Sequence, residues 1–260
     1  MPPTLGNPAI WALTQGKIVM WILVIVRIIG LLATLPGLGQ ERIPLEIRAA
    51  LTVLLSVIIT PVVPYPQEMP TDMWQMVAVM VMELAAGLLL GLFVAWIMEA
   101  VSFGGHLMDI QMGFSFVQFL DPASARPTSI SGSILMQLTL LFILVSGLHH
   151  QMILALVESY RIVPIGSGMP GNPMQIVSMV GLLLARGLQL AFPVMLTLFF
   201  VDALEGVSAR FMPQLQLMQL SFPIKITVGL TVLGFVLREF SAWLLPILEA
   251  APREALRFLR

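Results

Sequence analysis

Residues 74–97 read WQMVAVMVMELAAGLLLGLFVAWI, a stretch whose one charge is Glu83. A helix of this length covers roughly 36 Å at 1.5 Å per residue, enough to cross the roughly 30 Å of hydrocarbon in a bilayer. Glu83, Gly87, Gly91, Ala95 and Glu99 recur every four residues, which predicts a ridge with a small central section where a second helix packs close. An acid among oily side chains has two readings: a paired group at a helix contact, or a proton-binding carboxylate.

The rest of the chain repeats this character. Val177 to Val201 and Ile224 to Leu245 are also long enough to cross, and Ile18 to Leu35 is marginal. Ala49 to Val63 and Ile134 to Leu148 each give only about fifteen apolar residues, roughly 22 Å, and fall short. After the second of these, Gly147, His149, His150 and Gln151 form a polar tip before Met152 to Val163, which predicts a helical hairpin that needs protein around it. Connectors are expected where Pro and Gly gather: 36–44, 61–70, 104–127, 164–173 and 213–223. Gln189–Val194 and Gln219–Ile224 echo each other over six residues, too few for a repeat. The expected architecture is a single all-α domain over 1–260, a multi-span membrane protein with short hairpins and kinked helices.

Composition agrees. Of 260 residues, 58% are hydrophobic and 10% charged, far from the soluble norm of about a quarter charged, and the mean hydropathy is +0.96. Thirteen basic against fourteen acidic side chains leave no electrostatic footprint for nucleic acid. The absence of cysteine removes disulfides, thiolate metal sites and cysteine nucleophiles. Lys17 before an apolar run resembles a leader, but the run's length, Arg27 inside it and the missing small-residue cleavage pattern read as a retained helix. Basic residues are not concentrated in alternate loops, so orientation stays open.

Arg27 and Arg186 lie mid-run, where a lone guanidinium costs at least ~2.5 kcal/mol, so each needs a partner or water. Arg186, Gln189 and Pro193 share one polar, kinked face. The three histidines, His106, His149 and His150, lack the spacing of a helical metal pair. Ser131-Gly132-Ser133 and Gly166-Ser167-Gly168 lack the spacing of a nucleophile turn. No catalytic residue, metal site or cofactor site is expected.

The segment 104–122 is the least ordinary. Met112-Gly113-Phe114-Ser115-Phe116-Val117-Gln118-Phe119-Leu120 sets three phenylalanines within six residues, between Gly104-Gly105 and Asp121-Pro122. An apolar loop either buries against its own fold or serves as a deformable stopper in a conduit, with Phe for bulk, Gly for hinges and Met for softness.

Several motifs, in order and spacing, resemble the FliR family, the R-type subunit of the flagellar type III export gate. They are Arg27-Ile28-Ile29-Gly30 with Pro36, Pro44 and Arg48; Glu83 with Gly87 and Gly91; and Gly105 to Asp109 with Gln111, Gly113, Phe114 and Asp121-Pro122. Gly147-x-His149 with Ser159 and Pro164-Ile165-Gly166 follows. The most specific is Gly206-x3-Arg210-x2-Pro213-Gln214, then Phe222-Pro223-Ile224-Lys225. Gln216 and Ser221 depart from the family's usual Asn and Gly, which touches local turn geometry.

This resemblance implies a gate assembled with FliP and FliQ type subunits and contacted by an FlhB type switch protein, in the bacterial inner membrane at the flagellar basal body. Unfolded flagellar proteins would pass through it, and membrane lipid would surround part of it. The resemblance implies a plug at Gly105 to Pro122, including Gly105, Met112, Gly113, Asp121 and Pro122, with Phe114, Phe116 and Phe119 as obstructing side chains. The family's gate lies largely outside the bilayer plane, which would account for helices too short to span. An injectisome gate subunit is the nearest alternative. A proton-coupled small-molecule transporter using Glu83 and Arg186 is further off, and an intramembrane hydrolase further still.

Overall fold

The computed structural model describes residues 8–36, 44–65, 70, 72–114, 129–168, 171, 173–211 and 217–259. Among these, the regular elements are all helical: α1 Pro8–Thr34, α2 Leu45–Ile59 with a 3₁₀ turn Thr60–Val62, α3 Met73–Met112, α4 Ile130–Val145, α5 Leu148–Ile162, α6 Pro173–Phe211 and α7 Leu217–Phe258. Five stretches are long and apolar enough to cross a membrane, or six if α4 and α5, bent at Ser146-Gly147, count as one broken crossing. The chain is thus an all-α protein of multi-span type.

Three helices outrun the apolar letters that predicted them. α3 has 40 residues, α6 has 39 and α7 has 42, so α3 alone measures about 60 Å, twice a bilayer's hydrocarbon. Two of the expected connectors shrink accordingly. The one drawn from Gly104 starts instead at Gly113, and the one drawn to Pro223 yields to α7 from Leu217. α2 also corrects an expectation: Leu45–Arg48 join its first turn behind Pro44, and with the 3₁₀ turn the stretch Leu45–Val62 reaches 18 residues and is long enough to cross. α4 and α5 do remain short, at 16 and 15 residues.

Several hydroxyl side chains in these oily helices bond back to a carbonyl of their own helix, which satisfies them without water. Thr139 donates to the Leu135 carbonyl at 2.8 Å, and Thr52 to that of Arg48 at 2.8 Å. The sequence echo has a counterpart here. Pro193 and Pro223 both sit inside helices, and the threonine four residues on, Thr197 or Thr227, donates to the proline carbonyl at 2.8 Å in each case. Pro193 therefore interrupts the ladder of α6 without ending the helix.

The chain forms two interleaved compact units. The first comprises Met1–Ala95, Gly147–Ile176 and Ala250–Arg260. In it Leu23, Val24, Ile28 and Leu31 of α1 are buried with Leu90 and Val94 of α3, Met152, Leu156 and Tyr160 of α5, and Ala251, Ala255 and Phe258 of α7. α1 and α3 approach closely at their glycines. A β-carbon on Gly30 would lie 2.5 Å from the Leu84 carbonyl oxygen, and one on Gly87 would run into the Arg27 carbonyl. Trp21 ties α1 to α2 by donating from Nε1 to Ser56 Oγ at 2.9 Å.

The second unit comprises Trp96–Ser146 and Val177–Glu249. Val101, Met108, Met112, Leu135, Ala191, Val194, Leu198, Phe240 and Leu244 form its core. Gly104 and Gly105, expected as hinges, are buried packing positions in α3. A β-carbon on Gly104 would sit 2.7 Å from the Gly187 carbonyl oxygen, and one on Gly105 would collide with the Gly132 backbone. Two seams of backbone against backbone, α3 on α6 and α3 on α4, need these glycines.

Candidate functional site

The end of α3 is set by its last turn. Gly113 has φ 85°, the left-handed conformation glycine adopts without strain. Its N–H reaches the Ile110 carbonyl at 3.2 Å, and the Phe114 N–H reaches the Asp109 carbonyl at 3.0 Å. These two bonds are the Schellman pattern that closes a helix on a glycine.

The beginning of α4 is set by Ser129, whose Oγ accepts from the Gly132 N–H at 2.8 Å, satisfying one of the free donors of the first turn. The same hydroxyl donates to Asp109 Oδ2 at 2.7 Å. The Ser131 N–H lies 3.2 Å from both carboxylate oxygens of Asp109. A carboxylate 2% exposed is thus placed on the positive end of a helix, where its charge is stabilised. Asp109 thus bonds Phe114 through its main-chain carbonyl and Ser129 through its side chain.

α7 completes this root. The Phe222 ring abuts Gly113, with ring carbons 3.0 Å from where a β-carbon would stand. Met112 is fully buried under Gly229, its sulfur 2.7 Å from a β-carbon built there. α6 holds the start of α7 through the Lys225–Asp202 ion pair and through Ser221 Oγ, which donates to Glu205 Oε2 at 2.6 Å.

The structure therefore separates the residues expected in the plug. Gly105 and Met112 belong to α3 and to the core, Gly113 and Phe114 form its terminal turn, and Phe116, Phe119, Asp121 and Pro122 lie outside the described residues. From the C-terminal motif, Phe222, Pro223 and Lys225 fall in α7 beside the root. Gly206 and Arg210 fall in α6, Gly206 with open space around it, while Pro213, Gln214 and the Arg210 side chain lie outside the described residues.

In the first unit the two charges singled out from the sequence meet. Arg27 Nε donates to Glu83 Oε2 at 2.7 Å. Its other nitrogens donate to Ser159 Oγ at 3.1 Å and to the Val163 carbonyl at 3.0 Å, and the guanidinium stacks 4.1 Å from the Tyr160 ring centre. Gly87 and Gly91 bring α1 and α3 close enough for the pair. Arg186 is different. It donates to Gln189 Oε1 at 3.2 Å on an exposed face, three residues along, as its spacing predicted. Among the described residues no group of three or more His, Asp or Glu side chains is gathered as a metal site would require.

Three participants escaped the sequence reading: Asp109 as a helix cap, and Asp202 and Glu205 as partners of α7. Ser129 ahead of the apolar run 130–145 was the available signal, since serine before such a run marks a helix start.

Comparison with known proteins agrees with this architecture. Residues 18–251 match the family described as "Bacterial export proteins, family 1". The chain is 28% identical over 213 residues to the flagellar biosynthetic protein FliR of Escherichia coli, covering 81% of each chain. It is 26% identical over 227 residues to the protein of that name from Caulobacter vibrioides, covering 86% of this chain and 90% of the relative. With the protein of that name from Bacillus subtilis it shares 28% over 218 residues, 82% and 84% of the two chains. A match over nine-tenths of the sequence, on a bundle of membrane-length helices, leaves one conclusion: the chain belongs to the bacterial export proteins, family 1.

Proposed function

We propose that the protein is a structural subunit of the flagellar type III export gate. It is not an enzyme but a component of an export apparatus. It helps enclose a protein-conducting passage for unfolded flagellar proteins, in the bacterial inner membrane at the basal body, together with FliP and FliQ type subunits and an FlhB type switch protein. The segment after Gly113, with Phe114, Phe116 and Phe119, obstructs that passage. A 40-residue α3 supports a body that extends beyond the bilayer, since at roughly 60 Å it is about twice as long as the hydrocarbon is thick.

The observation that carries the reading is the root at Asp109. Phe114 bonds to its main-chain carbonyl and Ser129 to its buried carboxylate, so the described residues on either side of 115–128 meet at one place. Shortening 114–119 in the full assembly tests it: the channel should leak ions or small solutes, and an equally tight channel would refute the obstruction.

The transporter reading loses its carboxylate, because Glu83 is occupied by Arg27 in a buried pair. The relatives are flagellar proteins, which favours the flagellar system over an injectisome.

A further inference from the structure

We propose that the groove between α6 and α7 in the second unit is a docking site for one membrane-length helix of another subunit of the gate. This rests on the reading of the protein as a gate subunit and goes beyond it by naming the surface, and the chemistry, that selects the neighbour.

The groove follows from antiparallel register. Asp202 pairs with Lys225, and Leu198 lies 3.5 Å from where a β-carbon on Gly229 would stand. Farther along, Gln189 and Pro193 of α6 and Val232, Phe235, Glu239 and Trp243 of α7 line a space of about 310 Å³. Its walls are almost wholly apolar. Water finds no partners in such a space, so an apolar group is needed to fill it.

The rim decides which kind of group. Arg238 and Glu239 have side chains 80% and 76% exposed, yet they stand near the middle of the membrane-length stretch Ser221–Phe258. Their 3.9 Å approach is too long for a hydrogen bond, so both keep bonding capacity to spare. On the other helix Arg186 gives one donor to Gln189, and Pro193 has no N–H to offer the Gln189 carbonyl four residues back. Charges within membrane helices turn to protein or to water, and hydrocarbon answers none of these groups. An acyl chain would fill the space and leave the rim bare. A helix does both: a leucine- to phenylalanine-sized side chain enters the space, and a carboxylate or amide one turn away meets Arg186 or Arg238. The two arginines then discriminate among helices, because an apolar one strands their charge and a basic one meets like charge.

The test uses the full-length protein in a flagellated cell. A photoactivatable benzophenone amino acid in place of Phe235, an exposed position on the groove, should give an adduct with a FliP, FliQ or FlhB type subunit. Val232→Trp, which fills the space, should reduce that adduct several-fold. Arg238→Leu with Glu239→Leu, which suits a lipid-facing surface, should reduce it too, while the melting of the purified chain stays unchanged. Adducts only with lipid, with a second copy or with an unrelated protein overturn the proposal, as does an adduct undiminished by these changes. If Val232→Trp does not accumulate, the leucine pair decides alone. A strain lacking the whole chain separates the two levels: continued flagellar export there sinks the gate reading itself, whereas lost export there with only lipid adducts at 235 sinks the groove alone.

Discussion

Arg27 and Glu83 are 56 positions apart in sequence and 2.7 Å apart in space, with side chains 0% and 2% exposed. The pair stands inside the first unit, between α1 and α3, and every guanidinium nitrogen has an acceptor. Its worth lies less in net stability than in the cost of breaking it, since a buried charge stripped of its partner is penalised by about 3–5 kcal/mol.

Glu83→Ala should therefore lower the stability of the detergent-purified protein by about that amount. Arg27→Met with Glu83→Leu should lose much less than the single change, because no charge is stranded. Thermal unfolding of the three proteins decides it. A double variant that loses as much as the single change or more would show that a stranded charge is not the cause of the loss.

Gly87→Val forces a branched side chain into the Arg27 carbonyl and should destabilise by about 1–3 kcal/mol as an overpacked contact. Gly181→Ala, at a helical position with open space, should be neutral or gain about 0.5–1 kcal/mol. A denaturation series in which both changes behave alike would remove the ridge as the reason for glycine at 87.

Gly113→Ala should cost about 1–2 kcal/mol, because an alanine must adopt φ 85° while its methyl meets the Phe222 ring. Phe222→Leu in that background should recover part of the loss by vacating the ring's space. A double-mutant cycle gives the coupling, and a value near zero would mean the two residues do not touch.

Asp202→Asn should matter little, no more than about 1 kcal/mol, since the Lys225–Asp202 pair is partly exposed and salt screens it. The charge-reversed double, Asp202→Lys with Lys225→Asp, should unfold with the wild type. Measurements at low and high ionic strength separate an electrostatic link from a packing one.

Gly206→Leu should leave the melting of the isolated chain unchanged or slightly raised, because the position is open and leucine favours helix by up to about 1 kcal/mol over glycine. A fall in melting temperature would place an internal contact there. Unchanged melting with impaired export would place a partner subunit against that turn.

The sequence made the two buried charges conspicuous because an arginine and a glutamate in oily runs each demand a partner; it could not name them to each other, since nothing local spans residues 27 to 83. The ridge at Gly87 and Gly91 was legible because four-residue spacing is a property of the helix itself. Helix ends were less so. Gly104-Gly105 read as a loop start, since paired glycines usually break helices, whereas here they admit two neighbouring backbones. Pro223 read as a boundary, whereas α7 begins six residues before it. Lengths inferred from apolar letters stopped at Arg48 and so shortened α2, whose first turn is helical although charged.

The trio of bonds on Arg27 has an evolutionary corollary. Lysine offers a single nitrogen and cannot serve glutamate, serine hydroxyl and main-chain oxygen in the same planar arrangement. Any single exchange that removes the charge at 27 or at 83 therefore strands the other ion, and such a change succeeds only in concert. Such a locus is frozen by its own chemistry, whatever cargo the gate conveys.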